Sequence, residues 1–249
     1  MSIQHKPELL KQLLAEKILV LDGAMGTVVQ RYKLDEAAFR GERFKDWTGK
    51  DLKGNNELLQ LTQQEILEEI HRNYLLAGSD IIETNTFSAT TIGQHDFLFR
   101  EETDGRKDQA FFDRVIHDAS LRELVREINQ NAVALARKAA DEVGEQSGQP
   151  RFVAGAIGPM PVTCSLSPDV NDPGFRSVTF EQLRHAYREQ IDTLIEGGVD
   201  LLLVETIFDT LNAKAALFAI REAFKAHEVE LPVMISGTIT DRAGRSGPQ

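Results

Sequence analysis

The chain has 249 residues, 41% hydrophobic and 27% charged, an ordinary globular composition with room for one large domain or two small ones. Its 28 Lys and Arg against 39 Asp and Glu give a formal charge of −11, which argues against nucleic acid or an acidic membrane surface as a partner. The single cysteine, Cys164, excludes an internal disulfide; with no apolar run near the ~20 residues of a membrane span and no signal-peptide pattern in Met1 to Pro7, the sequence reads as cytoplasmic.

Lys17 to Leu21 (KILVL) reads as the first strand. It runs into Asp22-Gly23-Ala24-Met25-Gly26-Thr27, where glycines let the backbone bend and present N–H groups to an anion beside an acid. A plain tight turn is the other reading of that stretch. Gln30 to Asn56 is a long polar connection holding the only tryptophan, Trp47. Thr62-Gln63-Gln64-Glu65 has the form of a capping box, and Ile66, Leu67, Ile70 and Tyr74 follow at helical spacing until Gly78. Asp80 to Thr84 is the second strand. A second long connection, Phe97 to Ser120, carries the charged run Glu101 to Asp108, read as solvated surface. A helix with Leu121, Leu124, Val125, Ile128, Ala132, Leu135 and Ala136 on one face leads to the third strand, Phe152 to Ile157.

After that strand come Gly158-Pro159-Met160-Pro161 and Ser165 to Pro173, rich in turn formers. Cys164 lies between them with no basic neighbour in sequence and reads as an inert thiol. Thr179-Phe180-Glu181-Gln182 repeats the capping box, ahead of a helix with Phe180, Leu183, Tyr187, Ile191 and Leu194 on one face. Asp200 to Val204 is the fourth strand, about Leu211 to Phe224 a helix, and Val233 to Ser236 the fifth strand.

Alternation of strand and helix predicts parallel βα units in an α/β fold. Ala77 to Phe87 and Gly197 to Phe208 echo each other: a small or Gly pair, Asp, an aliphatic run, then Glu-Thr. That repeat, and the lack of Gly-x-Gly-x-x-Gly after the first strand, favour a (β/α)8 TIM-type barrel over a doubly wound sheet. Eight units take ~250 residues. Here that length is spent on about five, so the expectation is that residues 1–249 are the N-terminal portion of one incomplete barrel domain, with insertions at about 30–56 and 97–120. Glu83 and Asn85 follow the second strand, Glu205 and Asp209 the fourth. Carboxylates at one barrel mouth suit an ammonium group, a metal or general-base work. Asp209 alternatively N-caps the next helix, and Glu83 alternatively pairs with a barrel cation. The six histidines have no metal-ligand spacing.

Taken together, DGAMGT, ETNTFSATTIGQ, GPMPVTCSLSPDVNDPGFR, ETIFDTLNAKAA and MISGTITDRAGR, in that order from about Leu13 onward, resemble the homocysteine S-methyltransferase family. Within it the resemblance is to the N-terminal homocysteine-binding module of cobalamin-dependent methionine synthases. It implies a β/α barrel in which methylcobalamin, held on another module and recharged by 5-methyltetrahydrofolate bound on a third, methylates a zinc-activated homocysteine thiol. By the same resemblance Asp22 and the backbone of Gly23 and Ala24 grip the amino-acid end of homocysteine, and Glu205 meets its ammonium. Glu83, Asn85 and Thr86 are implied to lie near substrate and metal. The family's zinc sits on three cysteines, and none of them is matched here, Cys164 included. Zinc and methylcobalamin are therefore expected in a full-length enzyme, and this chain alone is expected to bind neither and to be inactive. The alternatives are a cobalamin-independent methyltransferase using betaine or S-methylmethionine, and a non-catalytic fragment.

Overall fold

A computed structural model describes residues 6–100 and 105–239. The acidic run Glu101 to Asp104 and the part of the last motif from Thr240 onward lie outside the described residues. Four strands, β1 (Ile81–Glu83), β2 (Phe152–Ile157), β3 (Leu201–Ile207) and β4 (Val233–Gly237), form one parallel sheet in the order β1-β2-β3-β4. Ile82 pairs with Val153, Ala154 with Leu201 and Leu203 with Met234. Parallel neighbours require long crossovers. Three long helices supply them: α8 (Ala119–Ser147) before β2, α9 (Phe180–Gly197) before β3 and α10 (Thr210–His227) before β4.

The period of two in each strand divides the core. Val153, Ile157, Leu202 and Val204 face the helices and join the large cluster containing Leu194, Ala216 and Ile220. Phe152, Ala154, Leu201 and Leu203 face the other way and pack with Leu10 of α1 (Lys6–Glu16). Every residue of β2 is buried. That explains its unbroken apolar sequence, since a strand covered on both faces needs no alternation.

The repeated Asp in the two echoing stretches has a packing role. Asp80 N donates to Val20 O at 2.8 Å while its carboxylate accepts from Val20 N at 2.9 Å. Asp200 does the same to Val153, with N to O at 2.8 Å and the carboxylate accepting from Val153 N at 2.8 Å. Each Asp thus ties the start of its strand to the preceding one.

Lys17 to Leu21 is not a regular strand. Only Leu21 makes an isolated parallel bridge, to Ile81. Ile18 and Val20 are 90% and 51% exposed, so the segment lacks the two-sided cover that β2 has. Nor does Thr62 cap a helix. It ends α4 (Leu59–Thr62), its buried Oγ1 has no partner, and α5 (Gln64–Leu76) begins from Gln63 without a side-chain cap. Because Leu59 to Thr62 is already helical, one non-helical residue, Gln63, joins two helices and no room remains for a box. The long connections also contain helices: α2 (Met25–Val29), just before the first, then α3 (Glu36–Arg40) within it, and, after α6 (Thr91–Leu98), α7 (Gln109–His117) in the second. The cap of α7 is Asp108, which accepts from Phe111 N at 2.9 Å.

The box at Thr179 forms as written. Thr179 Oγ1 accepts from Gln182 N at 3.1 Å and Gln182 Oε1 accepts from Thr179 N at 3.0 Å. Thr179→Ala is expected to lower stability by about 1 kcal/mol, read as a shift in the urea midpoint without a change in slope. A loss below a few tenths would mean that water replaces the cap. Among the described residues no helix is long and apolar enough to cross a membrane.

Candidate functional site

Three acids converge at the C-terminal ends of the strands. Both carboxylate oxygens of Asp22 accept from Glu83 N at 3.1 Å, and Asp22 N donates to Ile81 O at 2.9 Å. The residue that follows the bridging segment is thereby locked to the end of β1. Across the mouth, the Glu83 carboxyl lies near that of Glu205 on β3, close enough for each to act on the other's titration. Glu83 therefore faces an acid rather than the barrel cation that its position could have called for.

Glu205 reaches this place through an irregularity. The β3–β4 register shifts between Val204 and Ile207, and Thr206 sits at φ 53. A β-branched residue in the left-handed region is costly, on the order of 1–3 kcal/mol. Such bulges re-aim a side chain at the mouth of a sheet. Here the residue re-aimed is Glu205.

The electrostatics follow from burial. Asp22 is pushed up to about 7, first by desolvation and further by Glu205, against the backbone N–H bonds it accepts. Glu83 is pushed up to about 8 by desolvation, then by the charges of Glu205 and Asp22. Glu205 is raised too, by desolvation, with its bonds to Thr206 and Glu83 opposing. Close carboxyls cannot all ionise, so near neutral pH the Glu83–Glu205 pair holds a proton between them. No cationic side chain among the described residues contributes to any of the three shifts. Half-buried carboxyls gathered without a cation among the described residues have the electrostatics that favour a cationic ligand.

Gly23 and Ala24 are exposed beside Asp22, where Ala24 precedes α2 and offers no side-chain cap. A Cβ on Gly23 would stand 3.0 Å from the Tyr74 hydroxyl, so only glycine passes there unhindered. Asn85 is buried and donates from Nδ2 to Asn56 O at 2.9 Å. Thr86 is fully buried, with its Oγ1 2.7 Å from both Ala156 O and Thr84 Oγ1. Its hydroxyl is occupied in joining β1 to β2.

Asp209 does not join the cluster. It caps α10 through Leu211 N at 2.8 Å and Asn212 N at 3.2 Å and accepts from Ser165 Oγ at 2.6 Å, which together hold its carboxyl below the usual range despite burial. Sequence reasoning missed Thr206, whose φ has no signature in residue type. It also missed a set of buried amides behind the mouth: Gln60, Gln94, Asn129 and Gln190 are each no more than 1% exposed.

The profile of the homocysteine S-methyltransferase family matches residues 19–249. Among solved structures, the metallated form of the Escherichia coli homocysteine methyltransferase MmuM superposes with a TM-score of 0.65 at 21% identity, covering 95% of this chain and 69% of that one. Its oxidised form gives 0.65 at 22% identity over 95% and 68%, and its apo form 0.56 at 20% over 94% and 65%. Similarity at these identities is one of fold.

A zinc site of thiolates does not fit the residues present. Cys164 is the chain's one cysteine, and it is buried. Its Sγ donates to Asn212 Oδ1 at 3.4 Å, and desolvation with the nearby Asp209 charge pushes the thiol up to about 11. Among the described residues no three His, Cys, Asp or Glu side chains are placed to hold a metal ion. No step is derived through a metal for this chain.

Proposed function

The chain belongs to the homocysteine S-methyltransferase family, and we propose that it is the homocysteine-binding portion of a cobalamin-dependent methionine synthase. The observation that carries this reading is the Asp22–Glu83–Glu205 cluster, to whose raised pKa values no cationic side chain among the described residues contributes. An α-ammonium entering the mouth replaces the proton shared by Glu83 and Glu205 and makes charge-assisted bonds to both. The α-carboxylate lies over the N–H groups of Gly23 and Ala24, where backbone donors cluster beside the turn. Asp22, locked to Glu83 N, fixes the distance between the two halves of the cradle.

The methyl donor is methylcobalamin on another module of the same polypeptide, recharged by 5-methyltetrahydrofolate. The extended runs ETIFDTLNAKAA and SPDVNDPGFR support this over a cobalamin-independent enzyme using betaine or S-methylmethionine. Cobalamin dependence of turnover by the full-length protein separates the two.

Binding must be linked to proton release, because the ammonium lowers the carboxyl pKa values. Titrating homocysteine calorimetrically at pH 7.5 in two buffers of different ionisation enthalpy is expected to give about one proton released per ligand bound. Saturable binding with no proton exchange would remove the shared proton from the account, and no binding would remove the substrate.

A further inference from the structure

The segment that follows β1 is held by side chains to an unusual degree. Five consecutive carbonyls each receive a donor from a different part of the fold. Asn85 O accepts from Gln60 Nε2 of α4 at 2.9 Å, and Thr86 O from Gln190 Nε2 of α9 at 2.7 Å. Phe87 O accepts from Gly158 N, after β2, at 3.1 Å. Ser88 O accepts from Gln94 Nε2 of α6 at 3.1 Å, and Ala89 O from Asn129 Nδ2 of α8 at 2.7 Å. Ser88 N in turn donates to the buried Glu57 Oε1 at 3.0 Å.

This arrangement has a cost. Gln60 Oε1, Asn129 Oδ1 and Gln190 Oε1 are buried with no partner. Each amide turns its nitrogen to the loop because only a donor satisfies a carbonyl, and so strands its own oxygen. Buried orphan acceptors are rare in native proteins and call for an explanation. Packing gives none, because leucine would fill these positions without stranding a side-chain oxygen, though it would leave the loop carbonyl without its donor. The explanation lies two residues upstream. β1 is only three residues long and ends at Glu83, so the sheet alone anchors that carboxylate weakly.

We propose that Gln60, Asn129 and Gln190 are positioning residues, which clamp the backbone of residues 85–89 and thereby hold Glu83 and Asn85 in register with Asp22 and Glu205. This rests on the reading of that cluster as the homocysteine site. A binding constellation works only while its support keeps it within about half an ångström of its productive geometry. Here the support is three buried amides on three separate helices, α4, α8 and α9, that meet on one loop.

The test uses Gln60→Leu and Gln190→Leu in the whole chain, by hydrogen exchange and homocysteine titration well below each variant's Tm. Exchange in residues 84–90 is expected to quicken ~10-fold or more while β2 and α10 keep their protection, and homocysteine Kd to rise by a similar factor. Gln190→Glu at pH 5, where a buried carboxyl keeps its proton and can donate to Thr86 O, should restore slow exchange relative to wild type at that pH. A lowered Tm with unchanged local exchange and unchanged Kd would reduce these residues to core filling and overturn the proposal. If wild type fails to bind homocysteine, the site reading falls. The exchange arm still decides the clamp, which local quickening supports and its absence overturns.

Discussion

Replacing Glu205 with Gln is expected to weaken homocysteine binding by about 30-fold to 1000-fold, the 2–4 kcal/mol typical of removing one partner from a desolvated charge pair. The substitution keeps the shape and changes the charge. The introduced amide can still bond to Glu83, and the bulge at Thr206 remains to aim it. What is lost is the second negative charge that would face the ammonium when the shared proton leaves. The proton released on binding should fall with the affinity, because Glu83 no longer has a partner carboxyl with which to share it.

The same substitution should stabilise the empty protein. Asp22 and Glu83 have folded pKa values of about 7 and about 8, raised from 3.8 and 4.5. Groups raised in this way contribute stability that is full below the unfolded values and is lost as pH rises through the folded ones. The cluster therefore weakens the wild-type fold between about pH 4.5 and pH 8. Without the Glu205 charge the Glu83 pKa falls, and Glu205→Gln should be more stable than wild type at pH 8 by about 1–2 kcal/mol, with the gain fading near pH 5. Weaker binding together with a more stable empty fold marks a site whose geometry is strained for its ligand. A variant that loses both affinity and stability at pH 8 would mean that Glu205 supports the fold, and the ammonium role would fall.

What could be read from the sequence follows from which forces were local. β2 was legible to the residue, because a strand buried on both faces writes an unbroken apolar run. The caps at Thr179 and Asp209 were legible because a cap is decided within four residues. Lys17 to Leu21 looked equally apolar, yet Ile18 and Val20 are left exposed and only Leu21 bridges to Ile81. The Thr62 box failed because the residues before it were already helical. At the mouth, the repeated Glu-Thr pointed to Glu83 and Glu205, while nothing in residue type announced that Thr206 would take φ 53 to bring them together. The buried amides left a fainter trace. Gln190 lies on the stripe of Leu183, Tyr187 and Leu194, and Asn129 is flanked by Ile128 and Ala132, so a polar residue stands where the helical period demands an apolar one.

His71 controls a second pH window, in the opposite direction. It lies on α5 with no exposure, and neither ring nitrogen has a partner. Burial alone pushes its pKa down from 6.5 to about 4. A group depressed in this way takes up its proton more readily in the unfolded chain, so the stability it allows is present above 6.5 and is lost as pH falls toward 4. The loss by pH 4.5 comes to about 2–3 kcal/mol, a sizeable part of a typical folding free energy. Through the same interval the Asp22 and Glu83 carboxyls gain protons and stabilise the fold, so the two trends oppose, and the histidine reduces the acid-side gain of the wild type without cancelling it. His71→Leu removes one side of that balance. Its urea midpoint, taken from pH 8 to pH 4.5, should rise toward acid more steeply than the wild-type midpoint, with the gap widening below about pH 6.5. Below about pH 4 both proteins should decline together, as carboxylates held low by their partners, Asp80, Asp96 and Asp209, become protonated. Parallel curves for the two proteins above pH 4.5 would mean that His71 takes up its proton as readily in the folded state as in the unfolded one, which requires a partner for its ring that the described residues do not supply.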